Sequence, residues 1–62
     1  MKVNKSDIII FRQDTGGQRE GIVVDVSMGI VTVMTKEGNF EVRNSEVVAN
    51  KGSAFEVIEK NG

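Results

Sequence analysis

The chain has 62 residues, a formal net charge of −1 at pH 7, and neither cysteine nor histidine. This length allows a single domain with one core, which buries only about 60% of the surface that the unfolded chain exposes. The composition excludes disulfide bonds, the usual cysteine and histidine zinc sites, and catalysis by histidine, so apolar burial alone must stabilise the fold.

The N-terminal segment contains two lysines but no apolar core of a signal peptide, because the run Ile8–Phe11 is only four residues long. No run has the length of a membrane span. We therefore expect a cytoplasmic protein with one domain over residues 1–62, frayed at residues 1–5 and 60–62.

The first predicted strand is Asp7–Arg12. Side chains of a strand alternate between two faces, so Ile9 and Phe11 share one face while Ile8 and Ile10 share the other. Both faces of this strand are therefore apolar.

A polar segment with a Gly-Gly pair, Gln13–Glu20, predicts a long hairpin loop. The second strand is predicted at Gly21–Val26, and the spacing of Val23 and Val26 breaks strict alternation in a way that is typical of a β-bulge. Ser27–Gly29 is the predicted turn after it. Because bulges bend small sheets, this strand favours a barrel.

The third predicted strand, Ile30–Thr35, is rich in β-branched residues. Lys36–Asn39 predicts a hairpin turn with glycine or asparagine at positive φ. The fourth strand, Phe40–Arg43, directs Phe40 and Val42 inward and its charged residues outward. This alternation indicates one solvated face.

Asn44–Val48 predicts a single helical turn, whose first residues can cap free amides and whose valines can plug one end of a barrel. A turn at Asn50–Gly52 and a fifth strand at Ser53–Glu59 follow, with Phe55 and Val57 on one face. Five short strands with a 3-10 turn before the last predict an all-β fold, a five-stranded SH3-like small barrel.

One pattern of residues runs through these strands: Ser6-Asp7-x-Ile9-x-Phe11, Gly21-x-Val23-x-x-Val26, Ile30-x-x-Val33, Gly38-x-x-x-Val42 and Val47-Val48. This pattern resembles the KOW and related SH3-like small barrels, which have a Gly-Asp opening and a Gly-x-Val second strand. Ser6 stands where that family usually has glycine.

Further segments of the chain resemble the YkvS-like family of very small proteins from Bacillus and its relatives. They are Asp7–Phe11, Gly21–Val23, Val47–Lys51 and Val57–Ile58. Both resemblances imply a fold rather than a function, because SH3-like barrels serve many functions. KOW proteins commonly contact RNA through loops near the first two strands, which implies Arg12, Gln18 and Arg19 as contact residues here.

The residue pattern favours a protein that is not an enzyme and has no cofactor, metal site or small-molecule substrate. Acidic residues are scattered singly, and no serine has a base partner. The segment Gly16–Gly21 lacks the Gly-Lys-Ser/Thr ending of a phosphate-binding loop. We interpret Met28 and Met34 as core residues that fill gaps, because methionine often has this role.

The first functional hypothesis is a non-enzymatic binding module that contacts nucleic acid or a ribonucleoprotein through a local basic patch. The three phenylalanines, Phe11, Phe40 and Phe55, are predicted to be internal and so do not stack on bases. Scattered solvated charge is the plainer interpretation of the same basic residues. The candidate patch consists of Arg12, Gln18, Arg19, Lys36 and Arg43.

The alternative is a protein-interaction or regulatory module, of an accessory or phage-like kind, that docks or self-associates through an apolar strand edge. The candidate residues are more apolar residues than one face of a small sheet needs. The competing interpretation, of equal weight, is that the C-terminal strand covers them. They are Ile8, Ile10, Ile22 and Val24. The choice among DNA, RNA and protein, the oligomeric state and the biological process stay open at this point.

Overall fold

The computed structural model of the protein describes residues 2–13 and 16–56. Five antiparallel strands form one sheet in the order β4-β3-β2-β1-β5, and a 3-10 helix at Asn44–Glu46 precedes the last strand. The prediction of a small, mostly-β domain with five strands and a 3-10 turn before the last strand is confirmed. The strands are β1 Asp7–Arg12, β2 Gln18–Ser27, β3 Ile30–Thr35, β4 Gly38–Arg43 and β5 Val47–Ser53.

The core lies on one face of this sheet. In β1, Ile9 and Phe11 are fully buried while Ile8 and Ile10 are only half-buried, so the predicted division of the strand into two faces is confirmed. The same alternation selects the inward residues of the other strands. The buried apolar residues are Val3, Ile9, Phe11, Val23, Val31, Val33, Val42 and Val47, with Phe40 packed against them.

The sheet is strongly curved around this core. β1 and β4 are three strand spacings apart, which would be about 14 Å across a flat sheet. The ring centroids of Phe11 and Phe40 are nevertheless 5.7 Å apart. Gln13, just after β1, also donates from Nε2 to the backbone oxygen of Glu41 in β4, at 3.1 Å. Within the described residues, the sheet still ends at β4 and β5, with no strand ladder joining them.

Two predicted features of β2 are decided by its neighbours. The expected bulge is confirmed, because the register to β3 shifts between Val23 and Asp25. The strand begins at Gln18, three residues earlier than predicted, because Gln18 pairs with Arg12 and Arg19 pairs with Phe11. The polar composition of these residues suggested a loop, but β1 supplies a partner strand for them.

The hairpin turns have the expected backbone chemistry. Met28 and Gly29 both have positive φ, +52° and +78°, in the β2–β3 turn. Gly38, which begins β4, has a φ of +117° and matches the predicted positive-φ glycine. The interpretation of the methionines as core residues is wrong: Met28 is 97% exposed and Met34 is 49% exposed.

The 3-10 helix is shorter than predicted and leads directly into β5. The side chain of Glu46 accepts a hydrogen bond from the Arg43 backbone N–H at 2.8 Å, which holds the turn closed. Val47 then enters the core opposite Phe11, while Val48 is 47% exposed. Of the two valines predicted to plug the fold, only the first is buried.

The predicted position of the fifth strand is wrong. β5 runs over Val47–Ser53 and pairs with β1, so the predicted turn at Asn50–Gly52 is part of a strand. Residues 54–56 are helical, and Phe55 is 68% exposed rather than internal. The rest of the predicted strand, residues 57–59, lies outside the described residues. The alternation of Phe55 and Val57 in the sequence suggested a strand at Ser53–Glu59. β1 instead pairs with the segment before it, Val47–Ser53.

A buried carboxylate fixes the pairing of β1 with β5. Asp7 is the one buried charged residue in the described part of the chain. Its Oδ2 accepts hydrogen bonds from the backbone N–H of Asn4 and from Nδ2 of Asn50, both at 2.9 Å. Asn50 also donates to the backbone oxygen of Lys2 and accepts from the N–H of Gly52. These bonds connect the N-terminal segment, β1 and β5.

The search for membrane-spanning helices, made over the described residues, finds none of sufficient length and apolarity.

Candidate interaction surfaces

A row of apolar side chains crosses the side of the sheet that faces away from the core. Ile8 in β1 is paired with Ile22 in β2, and Ile22 is paired with Met34 in β3. Cross-strand partners lie about 4.5–5.5 Å apart at Cβ, so these three side chains are in mutual reach. We call Ile8, Ile22 and Met34 the outer row.

The outer row lines a shallow groove of about 370 Å³. Glu20 and Lys36 contribute to its lining, together with Gly21 and Thr35. Glu20 forms an ion pair with Lys51 of β5, and no ion pair is found for Lys36 within the described residues. The groove therefore has an apolar floor with a carboxylate and an ammonium group at its rim.

The predicted apolar residues lie on a face of the sheet and not at an edge, and Ile8 and Ile22 are half-buried there. Strands β1 and β2, which contain Ile8, Ile10, Ile22 and Val24, are inner strands of the sheet, so the proposed edge location is wrong. Ile10 is opposite Glu20 and Ala49 and is half-buried. Val24 lies at the bulge and is 41% exposed, outside the paired register of the outer row.

Met34 is the member of the outer row that the sequence interpretation missed. The signal was present in β3, because Val31 and Val33 point into the core and strict alternation sends Met34 to the opposite face. The general preference of methionine for cores led to the wrong assignment. The strand period was the better guide.

The predicted basic patch forms only in part. Gln18, Arg19 and Lys36 line one groove of about 280 Å³, but Glu20 and Glu37 line it too. The Nε of Arg19 donates to Oε1 of Glu37 at 3.1 Å. The guanidinium carbon also lies 5.1 Å from the ring centroid of Phe40. Arg19 is therefore occupied in holding the β3–β4 turn against β2.

The other two basic residues are separated along the sheet. Arg12 ends β1 opposite Gln18, next to this groove. Arg43 is opposite Ile30, at the far end of the β3–β4 hairpin from the Thr35–Gly38 pair. Five residue steps at about 3.3 Å separate the two ends, roughly 17 Å. The structure brings Gln18, Arg19 and Lys36 together, with Arg12 at their side, and leaves Arg43 apart.

A polar groove on the other side of Arg12 was not expected from the sequence. Its volume is about 520 Å³. The spacing of residues in the sequence does not predict that the 3-10 helix and the β1–β2 loop lie close together. The lining residues include Arg12, Gln13, Gly16, Ser45, Glu46 and Val48. The pairing of Phe11 with Val47 brings these segments together.

Within residues 2–13 and 16–56, no group of three or more acidic side chains is arranged to hold a metal ion. Comparison with models of known protein families finds no family that matches this chain, and the searches of curated proteins and of solved structures find no match.

Proposed function

We propose that the protein is a non-enzymatic, cytoplasmic binding module that holds an amphipathic segment of another protein on its outer row. The observation that supports this function is the continuous pairing of Ile8, Ile22 and Met34 across three strands, on the face away from the core. Among the described residues, the buried core is supplied by the opposite face, and no member of the outer row belongs to it. A continuous apolar surface of this kind is typical of an interaction site.

The rim of the groove indicates the chemistry of the partner. Glu20 is already paired with Lys51, so Lys36 is the rim charge that has no ion-pair partner among the described residues. A bound segment with acidic residues beside its apolar side therefore meets complementary charge, whereas a strongly cationic partner would meet a repulsive group. An amphipathic peptide segment with acidic residues is the best match.

We also propose that the fold is an SH3-like small barrel, similar to KOW domains. The strand order β4-β3-β2-β1-β5 supports this, as do the contact of Phe11 with Phe40 and the hydrogen bond from Gln13 to Glu41. Both contacts join β1, or the residue just after it, to β4, and these two strands are not neighbours in the sheet. A barrel of this kind turns the outer face of β1, β2 and β3 into a convex surface.

The proposed function is tested by affinity capture from native lysate, with and without nuclease, using the wild-type chain and two variants as bait. Met34→Lys places a charge in the outer row and should reduce the retention of a protein partner by about tenfold or more. Met28→Lys makes the same substitution at the hairpin tip, outside the outer row, and should retain that partner.

Retention that resists nuclease and moderate salt is expected for an apolar contact. Equal retention by wild type and Met34→Lys would contradict the proposal. Material that disappears after nuclease treatment would support the second candidate function instead.

Contact with nucleic acid or a ribonucleoprotein is the second candidate function. It is favoured by the shared groove of Gln18, Arg19 and Lys36, with Arg12 next to Gln18. Contacts of this kind carry little sequence preference and weaken as salt is added. Because Arg19 is paired with Glu37, Arg12 and Lys36 are the cations to test.

The double variant Arg12→Gln/Lys36→Gln should weaken binding to single-stranded RNA or DNA and reduce the salt dependence of that binding. Arg43→Gln removes one charge at the other end of the β3–β4 hairpin and serves as the control. Equal binding by the wild type and the double variant in a fluorescence anisotropy titration would rule out this surface.

A further inference from the structure

The tip of the β2–β3 hairpin presents a methionine in a backbone conformation that disfavours it. Met28 and Gly29 have φ values of +52° and +78°, as both central residues of a type I′ turn require. Asparagine, aspartate and glycine are the usual residues at the first position of this turn, since side chains with a bulky Cβ substituent are strained there. The Met28 side chain is also 97% exposed.

An apolar cavity lies directly beside this exposed side chain. It has a volume of about 200 Å³ and is lined by Val3, Val26, Gly29 and Val31, with Lys2 and Asn44 at its polar margin. Gly29 is the chain neighbour of Met28, so the protruding side chain and the cavity occupy the same end of the molecule. Neither is part of the outer row, which lies on the face of β1, β2 and β3.

We propose that two copies of this chain associate through the hairpin tip, each inserting Met28 into the cavity of the other. A twofold rotation brings the same patch of both copies together, so the protrusion of each copy faces the cavity of the other. The two insertions are then made at once, and the contact closes without further growth. A different partner would have to supply both a cavity and a protrusion of its own, whereas a second copy has both.

The proposed contact consists of two inserted side chains and the margins of two cavities, whereas specific, stable complexes bury roughly 1,200–2,000 Å². The long, unbranched methionine side chain adapts readily to the shape of an apolar cavity. The dimer is therefore weak and forms reversibly at high protein concentration.

The test is sedimentation velocity of the wild-type chain from about 10 μM to about 1 mM, together with four variants. Met28→Asn removes the inserted side chain and introduces a residue that favours positive φ, so this variant folds at least as well as wild type. Its dissociation constant should rise by at least about 100-fold, because two buried methionine side chains are lost per dimer.

Val26→Phe fills the cavity and keeps the protruding side chain, so it should also abolish self-association. A mixture of Met28→Asn and Val26→Phe retains one intact insertion and should associate more strongly than either variant alone. Met34→Asn alters the outer row, and Val48→Asn alters β5; both should associate as wild type does.

A wild-type chain that stays monomeric at about 1 mM would overturn the proposal. Self-association that persists in Met28→Asn, or that is lost only in Met34→Asn, would overturn it as well. A wild-type chain that stays monomeric, or self-association that persists in Met28→Asn, leaves the test of the proposed function untouched, since capture of another protein depends on Met34 and not on Met28.

Discussion

Asp7 and Ser6 show how single residues at the start of β1 hold the two halves of the chain together. The Asp7 carboxylate is buried and accepts hydrogen bonds from Asn4 and Asn50. Ser6 has a φ of +73°, and its backbone bonds to Val23 of β2 and to Ala54 just after β5. This pair of residues therefore connects elements that are far apart in the sequence.

Replacing Asp7 by alanine should lower the free energy of unfolding by about 1.5–3 kcal/mol, because a charged acceptor is removed from two part-buried hydrogen bonds. Urea denaturation followed by circular dichroism measures this change. Asp25→Ala is the matched control. That carboxylate is half-exposed and lies 3.9 Å from Lys5, in an ion pair that contributes little to stability. Equal losses in the two variants would contradict a structural role for Asp7.

Replacing Ser6 by glycine should raise the free energy of unfolding by about 0.5–1 kcal/mol. Relief of the left-handed backbone contributes roughly 1–2 kcal/mol, and the greater entropy of glycine in the unfolded chain offsets part of it. Ser6→Ala, which keeps the strain, is the control and should give no increase. The observed φ is one that glycine adopts without strain.

At the scale of elements, the hairpin of β2 and β3 depends on one close approach. A Cβ at Gly21 would lie 2.5 Å from Cγ1 of Val33 and 2.6 Å from the backbone oxygen of Met34. Real Cβ atoms do not come so close, and a backbone atom cannot move aside as a flexible side chain can. Gly21 is buried opposite Ile9, where β2 bends over the core.

Gly21→Ala should therefore destabilise the protein by about 1–3 kcal/mol, as overpacking of a core does. Gly17→Ala is the matched control, because nothing lies within 4 Å of its added Cβ. Thermal unfolding of both variants measures the difference. If Gly21→Ala were as stable as Gly17→Ala, the close packing of β2 on β3 would be refuted.

At the scale of the whole molecule, stability depends on curvature that brings the two sides of the sheet together. Phe11 of β1 and Phe40 of β4 meet across the core although two strands lie between them in the sheet. Phe11 has the largest fully buried side chain, so it fills the space that the curved sheet encloses. A domain of this length has a small margin of stability, which makes this contact decisive.

Phe11→Ala should lower the free energy of unfolding by about 3–5 kcal/mol and leave a large fraction of the molecules unfolded at 25 °C. Phe55→Ala removes the same side chain from a position that is 68% exposed, and should change stability by less than about 0.5 kcal/mol. Circular dichroism and one-dimensional NMR distinguish the two outcomes. A folded, cooperative Phe11→Ala protein would show that the core does not depend on this ring.

The local pattern of the sequence predicted the first four strands well and the fifth poorly. Strands β1 to β4 have apolar alternation bounded by turn residues, and these signals act within a few residues of each other. In contrast, β5 consists of Val47–Ser53, which lacks clear alternation. Its pairing with β1 and the side chain of Asn50, 43 residues from Asp7, decide its position.

The candidate surfaces were predictable to a different extent. Alternation in β1 indicated that Ile8 and Ile10 face away from Ile9 and Phe11, and the structure agrees. The basic residues of the proposed patch have no such local rule, because their distances depend on strand register. Strand register places Arg43 apart from the other basic residues, and it also places Arg19 next to Glu37.

The amino-acid sequence by itself determined the first four strands, the 3-10 turn, the inward residues of the first strands and the chemistry of the hairpin turns, because these follow from period and backbone preference over short distances. The tertiary structure decided the position of β5, the burial of Asp7, the row formed by Ile8, Ile22 and Met34, and the exposure of Met28. Each of these depends on which strands become neighbours, and that choice is made by packing between residues that are distant along the chain.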